Sequence, residues 1–277
     1  MGNTEDLRQK EWDFIKLIEK AGVKILSIYH EENLEIQLKG ENNPLTKADL
    51  AANQIILEGL HTLCPDIPVL SEESINSFSS GDRPPLYWAV DPLDGTKEFI
   101  KRNGEFTVNL ALIENGRPIF GIVMAPALQL SYRGWVGHGA WKKNGETAAW
   151  APISVRESKS INTLNPLRVV ASRSHLDPKL DKWLERFTSY ELIQMGSSIK
   201  FCLIAEGAAD IYPRHGTTCI WDTAAGHAVL AAAGGTVLQF DGSDLSYSEP
   251  AQTKNPSFIA LAFLSLASLP SRENPNA

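Results

Sequence analysis

In the first part of the chain, apolar residues recur at the spacing of an amphipathic helix. The repeating positions in the first such segment are Leu7, Trp12, Ile15, Ile18 and Ile25. We predict one helix over residues 5–29 and a second over residues 46–63. Residues 67–70 and 86–90 are short apolar runs, and we predict a strand at each of them.

The hydrophobic period then changes to two, which is the period of a strand. Residues 106–113 and 117–125 form two such runs, joined by Glu-Asn-Gly at residues 114–116. Asn-Gly between alternating apolar runs is a strong hairpin signal. Residues 128–136 continue the meander, and a further turn is predicted at residues 143–145. The first half therefore has helices beside an antiparallel sheet, and we expect an α+β fold.

A polar, aperiodic stretch at residues 154–166 precedes a second pattern. It is the candidate boundary between a unit of residues 1–153 and a unit of residues 154–277. Beyond it, strand and helix signals alternate in the manner of βαβ units. The predicted strands are residues 167–172, 190–195, 210–214 and 236–240, and the predicted helices are residues 177–187, 197–209 and 222–235. The residues after Phe263 are expected to be partly disordered.

Composition is that of a globular protein with an acidic balance. Hydrophobic residues make up 43% of the 277 residues and charged residues 21%, and the net charge is −7. Such a surface does not attract nucleic acid polymers or anionic lipid, so an anionic substrate would need a metal or a local basic pocket. No apolar run reaches the ~18 residues of a transmembrane segment. The first residues lack a signal-peptide layout, and the three cysteines include no C-x-x-C, so we expect a cytoplasmic protein without a disulfide framework or a zinc site.

Two aspartates, Asp91 and Asp94, follow a predicted buried strand at its carboxyl end. The sequence Pro-Leu-Asp-Gly at residues 92–95 is typical of a tight turn, which is one explanation for the acids. The other explanation is a metal site, because α/β proteins bind ligands at the carboxyl ends of strands and magnesium prefers oxygen ligands. Gly95 and Thr96 open a predicted helix whose free N–H groups could hold a phosphate.

Three further acids have both a structural and a functional interpretation. Glu72 follows a predicted strand, and alone it would be a solvated loop residue. Asp222 is predicted to be the N-cap of an alanine-rich helix, and Asp49 completes a capping-box pattern with Thr46. Carboxylates gathered at strand ends and helix starts suit a two-metal site with ions ~3.5–4 Å apart. Acids that lie so close together need cations between them.

Other phosphatase and hydrolase chemistries lack their motifs in this sequence. It contains neither the P-loop pattern G-x-x-x-x-G-K-[ST] nor the G-x-S-x-G elbow. No cysteine has an arginine six residues later, so a cysteine-phosphatase loop is absent. The D-x-x-D spacing of Asp91 and Asp94 differs from the D-x-D of aspartyl-phosphate enzymes. These exclusions favour water activated by a metal as the nucleophile.

Two signatures resemble those of the inositol monophosphatase superfamily, which consists of magnesium-dependent, lithium-inhibited phosphomonoesterases. They are DPLDGT at residues 91–96 and WDTAAG at residues 221–226, with Gly234 and Gly235 beyond. PVLSEE, DPLDGTKEFIKRNGEFTVN, SRSH, GSSIKFCLIAEG, YPR and WDTAAGHAV are similar to one branch, the bacterial 3′(2′),5′-bisphosphate nucleotidases of the CysQ type. The resemblance implies a layered αβαβα sandwich and hydrolysis of adenosine 3′,5′-bisphosphate to AMP and phosphate.

The resemblance also implies a role for each matching residue. The first metal would bind Glu72, Asp91 and the carbonyl of Leu93, and the second metal would bind Asp91, Asp94 and Asp222. Asp49 and Thr96 would orient and deprotonate the attacking water, and Glu72 is counted with them as catalytic. The residues implied to contact the substrate are Glu72, Leu93, Asp94, Gly95, Thr96, Ser172, His175, Ser197, Lys200, Arg214 and Asp222. We expect two or three Mg²⁺ ions, with the metal site in the first unit and the nucleotide-binding residues in the second.

Two other functions stay open at this point. One is the same chemistry on inositol phosphate or another sugar phosphate, and the other is a nucleotide sensor that binds without turnover. A complete set of metal-binding acids argues against the sensor, because sensing needs no activated water. The expected partner is a small nucleotide bisphosphate, and the sequence does not decide between monomer and dimer. The resemblance leaves room for peripheral association with the cytoplasmic side of an inner membrane.

Overall fold

The computed structural model describes residues 4–31, 34, 37–38, 44–157, 166–174 and 178–263. These residues form two β-sheets with helices packed beside and between them. Over the same residues, no helix combines the length and the apolar composition that a membrane crossing requires.

Seven α-helices lie in the described part of the chain. They are α1 (Thr4–Gln9), α2 (Glu11–Tyr29), α3 (Lys47–Leu63), α4 (Thr96–Ile100), α5 (Pro178–Leu184), α6 (Ile199–Ala205) and α7 (Ile220–Ala232). The single helix predicted over residues 5–29 is two helices, because Lys10 leaves helical geometry. The ammonium of Lys10 donates to the carbonyl oxygen of Leu63 at 2.7 Å, which ties this break to the end of α3. Trp12, predicted to share the apolar face, is 52% exposed.

The strands of the first half form a short hairpin and a seven-stranded sheet. They are β1 (Gln37–Leu38) and β2 (Pro44–Leu45) in the hairpin, then β3 (Val69–Ser71), β4 (Leu86–Asp94), β5 (Thr107–Glu114), β6 (Arg117–Ala125), β7 (Leu130–Trp135), β8 (Gly139–Asn144) and β9 (Ala151–Ile153), which neighbour one another in chain order. The predicted hairpin between β5 and β6 is confirmed, with Glu114 paired to Arg117. Because β3 runs parallel to β4, the sheet is mixed rather than wholly antiparallel.

The second half forms a five-stranded sheet in the order β11-β10-β12-β14-β13. Its strands are β10 (Leu167–Ser172), β11 (Tyr190–Met195), β12 (Ile211–Arg214), β13 (Thr236–Gln239) and β14 (Phe258–Leu261). The parallel pairing of β10 with β11 and β12 confirms the βαβ pattern predicted there. The strand β14 was not predicted, and it pairs antiparallel with both β12 and β13.

Two hydrophobic clusters define the layers. In the first cluster, Phe14 of α2 and Ile56 of α3 pack with Val90 of β4, so this helix pair covers one side of the larger sheet. In the second cluster, Ala225 of α7 packs with Val169 of β10, and α7 also packs against β4 to β7. The helices α6 and α7 therefore fill the space between the two sheets, and α5 contributes to the same cluster. This order confirms the predicted α+β fold with layered αβαβα architecture.

The predicted division into residues 1–153 and 154–277 stays a prediction. Residues 154–157 have no regular secondary structure, and residues 158–165 lie outside the described residues. The residues after Phe263, which we expected to be partly disordered, also lie outside the described residues. What the structure does show is that α7, from the second half, packs on the sheet of the first half.

Candidate active site

The end of β4 carries the first two acids on an irregular stretch of strand. Asp91 pairs with Asn109 of β5 and Asp94 pairs with Thr107, so β4 has one more residue than β5 between these pairs. The tight turn predicted at residues 92–95 is therefore wrong, and a β-bulge takes its place. Oδ1 of Asp91 accepts the backbone N–H of Leu93 at 3.0 Å, which helps to fix the bulge. Asp91, Leu93 and Asp94 all line one cavity.

The start of α7 brings Asp222 to the same cavity. The carboxylate oxygens that Asp91, Asp94 and Asp222 offer lie within 4.8 Å of one another. Asp222 is the third residue of α7, and its Oδ2 accepts the backbone N–H of Cys219 at 2.7 Å. The predicted N-cap role of Asp222 is therefore wrong, because Cys219 is the N-cap and Asp222 reaches back to it. Glu72, which directly follows β3, lines the cavity with these three acids.

These carboxylates are costly to keep ionised together without a cation. Burial raises the pKa of Asp91 well above its usual value, and the charges of Glu72, Asp94 and Asp222 raise it further. Desolvation likewise raises the pKa of Asp222 to about 8, with Asp94 as the next contributor. A cation between the acids would favour their ionised forms, and hard cations prefer oxygen ligands of this kind. The side chains present therefore fit a metal site.

The two carboxylate oxygens of Asp49 make different contacts, which correspond to the structural and the catalytic role predicted for this residue. Its Oδ2 accepts the backbone N–H of Thr46 at 2.8 Å and the hydroxyl of Thr46 at 2.7 Å, which confirms the predicted capping box at the start of α3. Its Oδ1 accepts the hydroxyl of Thr96 at 3.3 Å. Asp49 is only 2% exposed, so its contacts with Thr46 are buried, and its contact with Thr96 is partly buried at the edge of the cavity.

One oxygen of Asp94 is surrounded by hydrogen-bond donors. Oδ2 accepts the hydroxyls of Ser197 at 2.6 Å and Ser198 at 2.9 Å, and the side-chain amide of Asn109 at 3.4 Å. The other oxygen, Oδ1, is then the one available to a cation. The sequence interpretation missed Ser198 and Asn109, although Ser198 lies in the GSSIK motif from which Ser197 was selected.

Lys200 and Arg214 give the cavity, which has a volume of about 680 Å³, a basic side. The ammonium of Lys200 is buried, donates to the carbonyl oxygen of Ser197 and lies 5.4 Å from the ring centroid of Tyr212. Burial lowers the pKa of Lys200 to about 8, against the opposing effect of Asp94. Among the described residues, no group accepts a hydrogen bond from the buried Nε of Arg214. These two predicted cations therefore reach the cavity from the second half of the chain.

Most of the predicted substrate-binding residues do line this cavity. They are Glu72, Leu93, Asp94, Gly95, Thr96, Ser172, Ser197, Lys200, Arg214 and Asp222. His175 lies outside the described residues, so its place in the site stays a prediction. Lys97, Glu98, Cys219 and Lys254 also line the cavity and were not predicted. Their positions depend on α4 and on the segments next to α7, which local sequence patterns did not bring together.

Comparison with known proteins connects this fold and site to a family. Residues 8–265 match the model described as inositol monophosphatase family. The chain is 46% identical over 244 residues to the 3′(2′),5′-bisphosphate nucleotidase CysQ of Escherichia coli K12, a match that covers 88% of this chain and 96% of that relative. The crystal structure of CysQ from Bacteroides thetaiotaomicron has a TM-score of 0.77 at 38% identity and covers 90% of this chain and 96% of its own. An IMPase of Thermotoga maritima has a TM-score of 0.71 at 28% identity, with coverages of 90% and 91%. The chain belongs to the inositol monophosphatase family.

Proposed function

We propose that this chain is a 3′(2′),5′-bisphosphate nucleotidase that hydrolyses adenosine 3′,5′-bisphosphate to AMP and phosphate. The observation that carries the proposal is that one cavity holds the acids Asp91, Asp94 and Asp222 together with the cations Lys200 and Arg214. The acids suit a metal at the phosphate that is removed, and the cations suit a second phosphate that stays on the product. The similarity to relatives named as bisphosphate nucleotidases supports the same substrate class.

Magnesium is the cofactor that we propose for the acidic side of the cavity. The oxygens of Glu72, Asp91, Asp94 and Asp222, with the carbonyl of Leu93, form the kind of ligand set that magnesium prefers. When bound, magnesium supplies positive charge that stabilises the transferring phosphoryl group and makes water a better nucleophile. We propose two ions, and a magnesium titration tests whether a third contributes. Inhibition by lithium is expected from the family resemblance alone.

Asp49 is the group that we propose to receive the proton of the attacking water. Thr96 donates its hydroxyl hydrogen to Asp49, so the lone pairs of its oxygen can accept a hydrogen bond from that water. The water oxygen bonds to phosphorus while the bond between phosphorus and the 3′ oxygen breaks. The nucleoside oxygen takes up a proton from solvent water and leaves as the 3′ hydroxyl. The N–H groups of Gly95 and Thr96 are proposed to hold the phosphoryl oxygens.

The basic side of the cavity is proposed to select substrates with a second phosphate. Lys200 supplies a buried ammonium and Arg214 supplies a guanidinium, whose planar donors suit phosphate. Ser172 and Ser197 also line the cavity, and we propose that they contact the nucleotide. An inositol monophosphate has no second phosphate to use these two cations, which is why we favour the nucleotide.

A phosphate-release panel tests this proposal. It compares adenosine 3′,5′-bisphosphate, inositol 1-phosphate and fructose 1,6-bisphosphate, each with magnesium and with excess chelator. We expect the highest kcat/KM for the nucleotide and loss of activity in chelator. A preference for inositol 1-phosphate would make the substrate assignment wrong. Tight nucleotide binding without phosphate release in magnesium would favour the sensor.

A further inference from the structure

Glu105 lies between the two sides of the cavity without lining it. It occupies the segment between α4 and β5, and its side chain is 13% exposed. Its Oε2 accepts the backbone N–H of Gly196 at 2.8 Å and the Nε of Arg173 at 2.7 Å. One carboxylate oxygen from the first half of the chain therefore fixes two segments of the second half.

The backbone of Glu105 also contacts the segment at Gly196. A Cβ atom on Gly196 would lie 2.6 Å from the carbonyl oxygen of Glu105, and a Cβ atom on Gly95 would lie 3.2 Å from it. Gly95 also has a φ of +90°, which other residues rarely adopt. The carbonyl of Glu105 thus approaches one glycine from each half of the chain closely. A side chain at Gly196 would force this junction apart.

The segment that Glu105 contacts, which begins at Gly196, also contacts Asp94. Gly196 precedes Ser197 and Ser198. The hydroxyl of Ser197 donates to Oδ2 of Asp94, and the hydroxyl of Ser198 lies between that oxygen at 2.9 Å and the carbonyl oxygen of Asp222 at 2.7 Å. Ser197 has a φ of 55°, in the left-handed region that few non-glycine residues adopt, so its conformation depends on surrounding contacts. Its carbonyl oxygen in turn accepts the ammonium of Lys200. A displacement at Gly196 would therefore reach both an acid of the metal side and a cation of the basic side.

We propose that Glu105 is a positioning residue that holds the turn from Gly196 to Ser198 against Asp94. Through the two serines it sets the affinity of the acidic cluster for magnesium, and through Ser197 it sets the distance from that cluster to Lys200. Groups that orient metal ligands commonly change metal affinity or activity ~10–100-fold when they are substituted. The part of this inference that concerns Lys200 rests on the proposed function, whereas the part that concerns magnesium does not.

Two variants test the contact between Glu105 and Gly196, one through the side chain of Glu105 and the other through its backbone carbonyl. Glu105→Gln removes the charge and keeps an acceptor, and Gly196→Ala adds the Cβ that would meet the Glu105 carbonyl. We expect both to bind magnesium alone ~10-fold or more weakly by calorimetry of the metal-free protein. We also expect lower kcat, partly restored by raising magnesium. The unfolding midpoint of the metal-free protein should change little in Glu105→Gln and fall in Gly196→Ala, because the added Cβ meets backbone. Arg173→Gln removes the ion pair of Glu105 with Arg173 and leaves the contact of Glu105 with Gly196 in place. It should weaken magnesium binding less than the other two variants do.

The matched control is Asp244→Asn, which removes an acid from the exposed pair with Arg117 at 2.9 Å. Its magnesium affinity and kcat should equal those of the wild type. Unchanged magnesium affinity in both Glu105→Gln and Gly196→Ala would overturn the proposal, and so would a loss of stability with normal affinity. If the wild type binds magnesium yet releases no phosphate from adenosine 3′,5′-bisphosphate, the proposed function fails while the calorimetric comparison still decides the role of Glu105.

Discussion

Thr96 donates its hydroxyl to Oδ1 of Asp49 across 3.3 Å, which joins the start of α4 to the start of α3. The other oxygen of Asp49 is used by Thr46 in the capping box. A structural role and a catalytic role therefore do not compete for the same atom. Substitutions at Asp49 and Thr46 can separate the two roles.

Asp49→Asn keeps the shape of the side chain and removes its charge. If Asp49 receives the proton of the attacking water, we expect kcat to fall ~10²–10⁴-fold with little change in KM, because an amide cannot take that proton. A capping role alone predicts a loss of only ~0.3–1 kcal/mol in the free energy of unfolding. The measurement is steady-state kinetics across a magnesium titration, with thermal unfolding in parallel.

The control for that prediction is Thr46→Ala, which disrupts the cap and leaves the Thr96 contact in place. It should lose about 1 kcal/mol of stability and retain most of kcat. A near-normal kcat for Asp49→Asn at saturating magnesium would leave Asp49 as a helix cap. Glu72 would then be the next candidate for the base.

Asp94→Asn should nearly abolish phosphate release. The change replaces one anionic ligand of the acidic cluster, while the amide oxygen can still accept from Ser197 and Ser198. Wild-type enzyme in excess chelator should behave in the same way. Full turnover by the variant, or by the wild type without magnesium, would exclude the two-metal site.

Arg214→Ala and Lys200→Ala should impair use of the bisphosphate much more than use of a simple aryl monophosphate. Each variant removes a charge-assisted contact worth ~1.5–3 kcal/mol to the second phosphate, which lies away from the reacting phosphorus. The measurement is kcat/KM for both substrates, with the exposed Arg117→Ala as a surface control. Equal losses on the two substrates would instead show a shared catalytic role or damaged folding.

Asp91 and Asp222 should make the metal-free protein less stable as pH rises. Asp222 has its pKa raised to about 8 in the folded chain, and that of Asp91 is also raised. In the unfolded chain both lose their protons near pH ~3.9. These two acids therefore hold more protons in the folded state between these limits, so their contribution to the free energy of unfolding decreases from about pH 4 to about pH 8. Buried His227, whose pKa is lowered to about 3, opposes this trend below about pH 6.5.

Magnesium replaces those protons, so its stabilising effect should grow over the same pH range. Thermal unfolding with and without magnesium, measured at several pH values between these limits, gives the increment directly. We expect the increment in Tm to be larger at the alkaline end. An increment that does not depend on pH would mean that the acids of the cluster are already ionised without metal.

Local patterns predicted the fold well where neighbours in sequence decide the structure. The strands at residues 167–172 and 190–195 have the predicted bounds, because short apolar runs between polar segments leave little choice. The capping box of Thr46 and Asp49 is equally local. The start of α7 was placed too late, because cysteine is not among the preferred N-cap residues and Cys219 gave no signal.

The features that the sequence did not predict depend on contacts between residues that are far apart in the chain. The residues Pro-Leu-Asp-Gly at 92–95 have turn composition, and only the pairing of Asp91 with Asn109 and of Asp94 with Thr107 makes them a bulge. The contact of Ser198 with Asp94 likewise joins residues from the two halves of the chain. The acids themselves were recognisable from their motifs, whereas the hydroxyls and amides that orient them required the fold.

Phosphorus NMR of the wild-type enzyme acting on adenosine 3′,5′-bisphosphate tests the central claim most directly, because it shows which phosphate leaves. With magnesium present, the 3′ phosphate signal should give way to inorganic phosphate while the 5′ signal persists as that of 5′-AMP. Excess chelator should stop the conversion. An unchanged spectrum with saturating magnesium, or the appearance of 3′-AMP, would contradict the assignment.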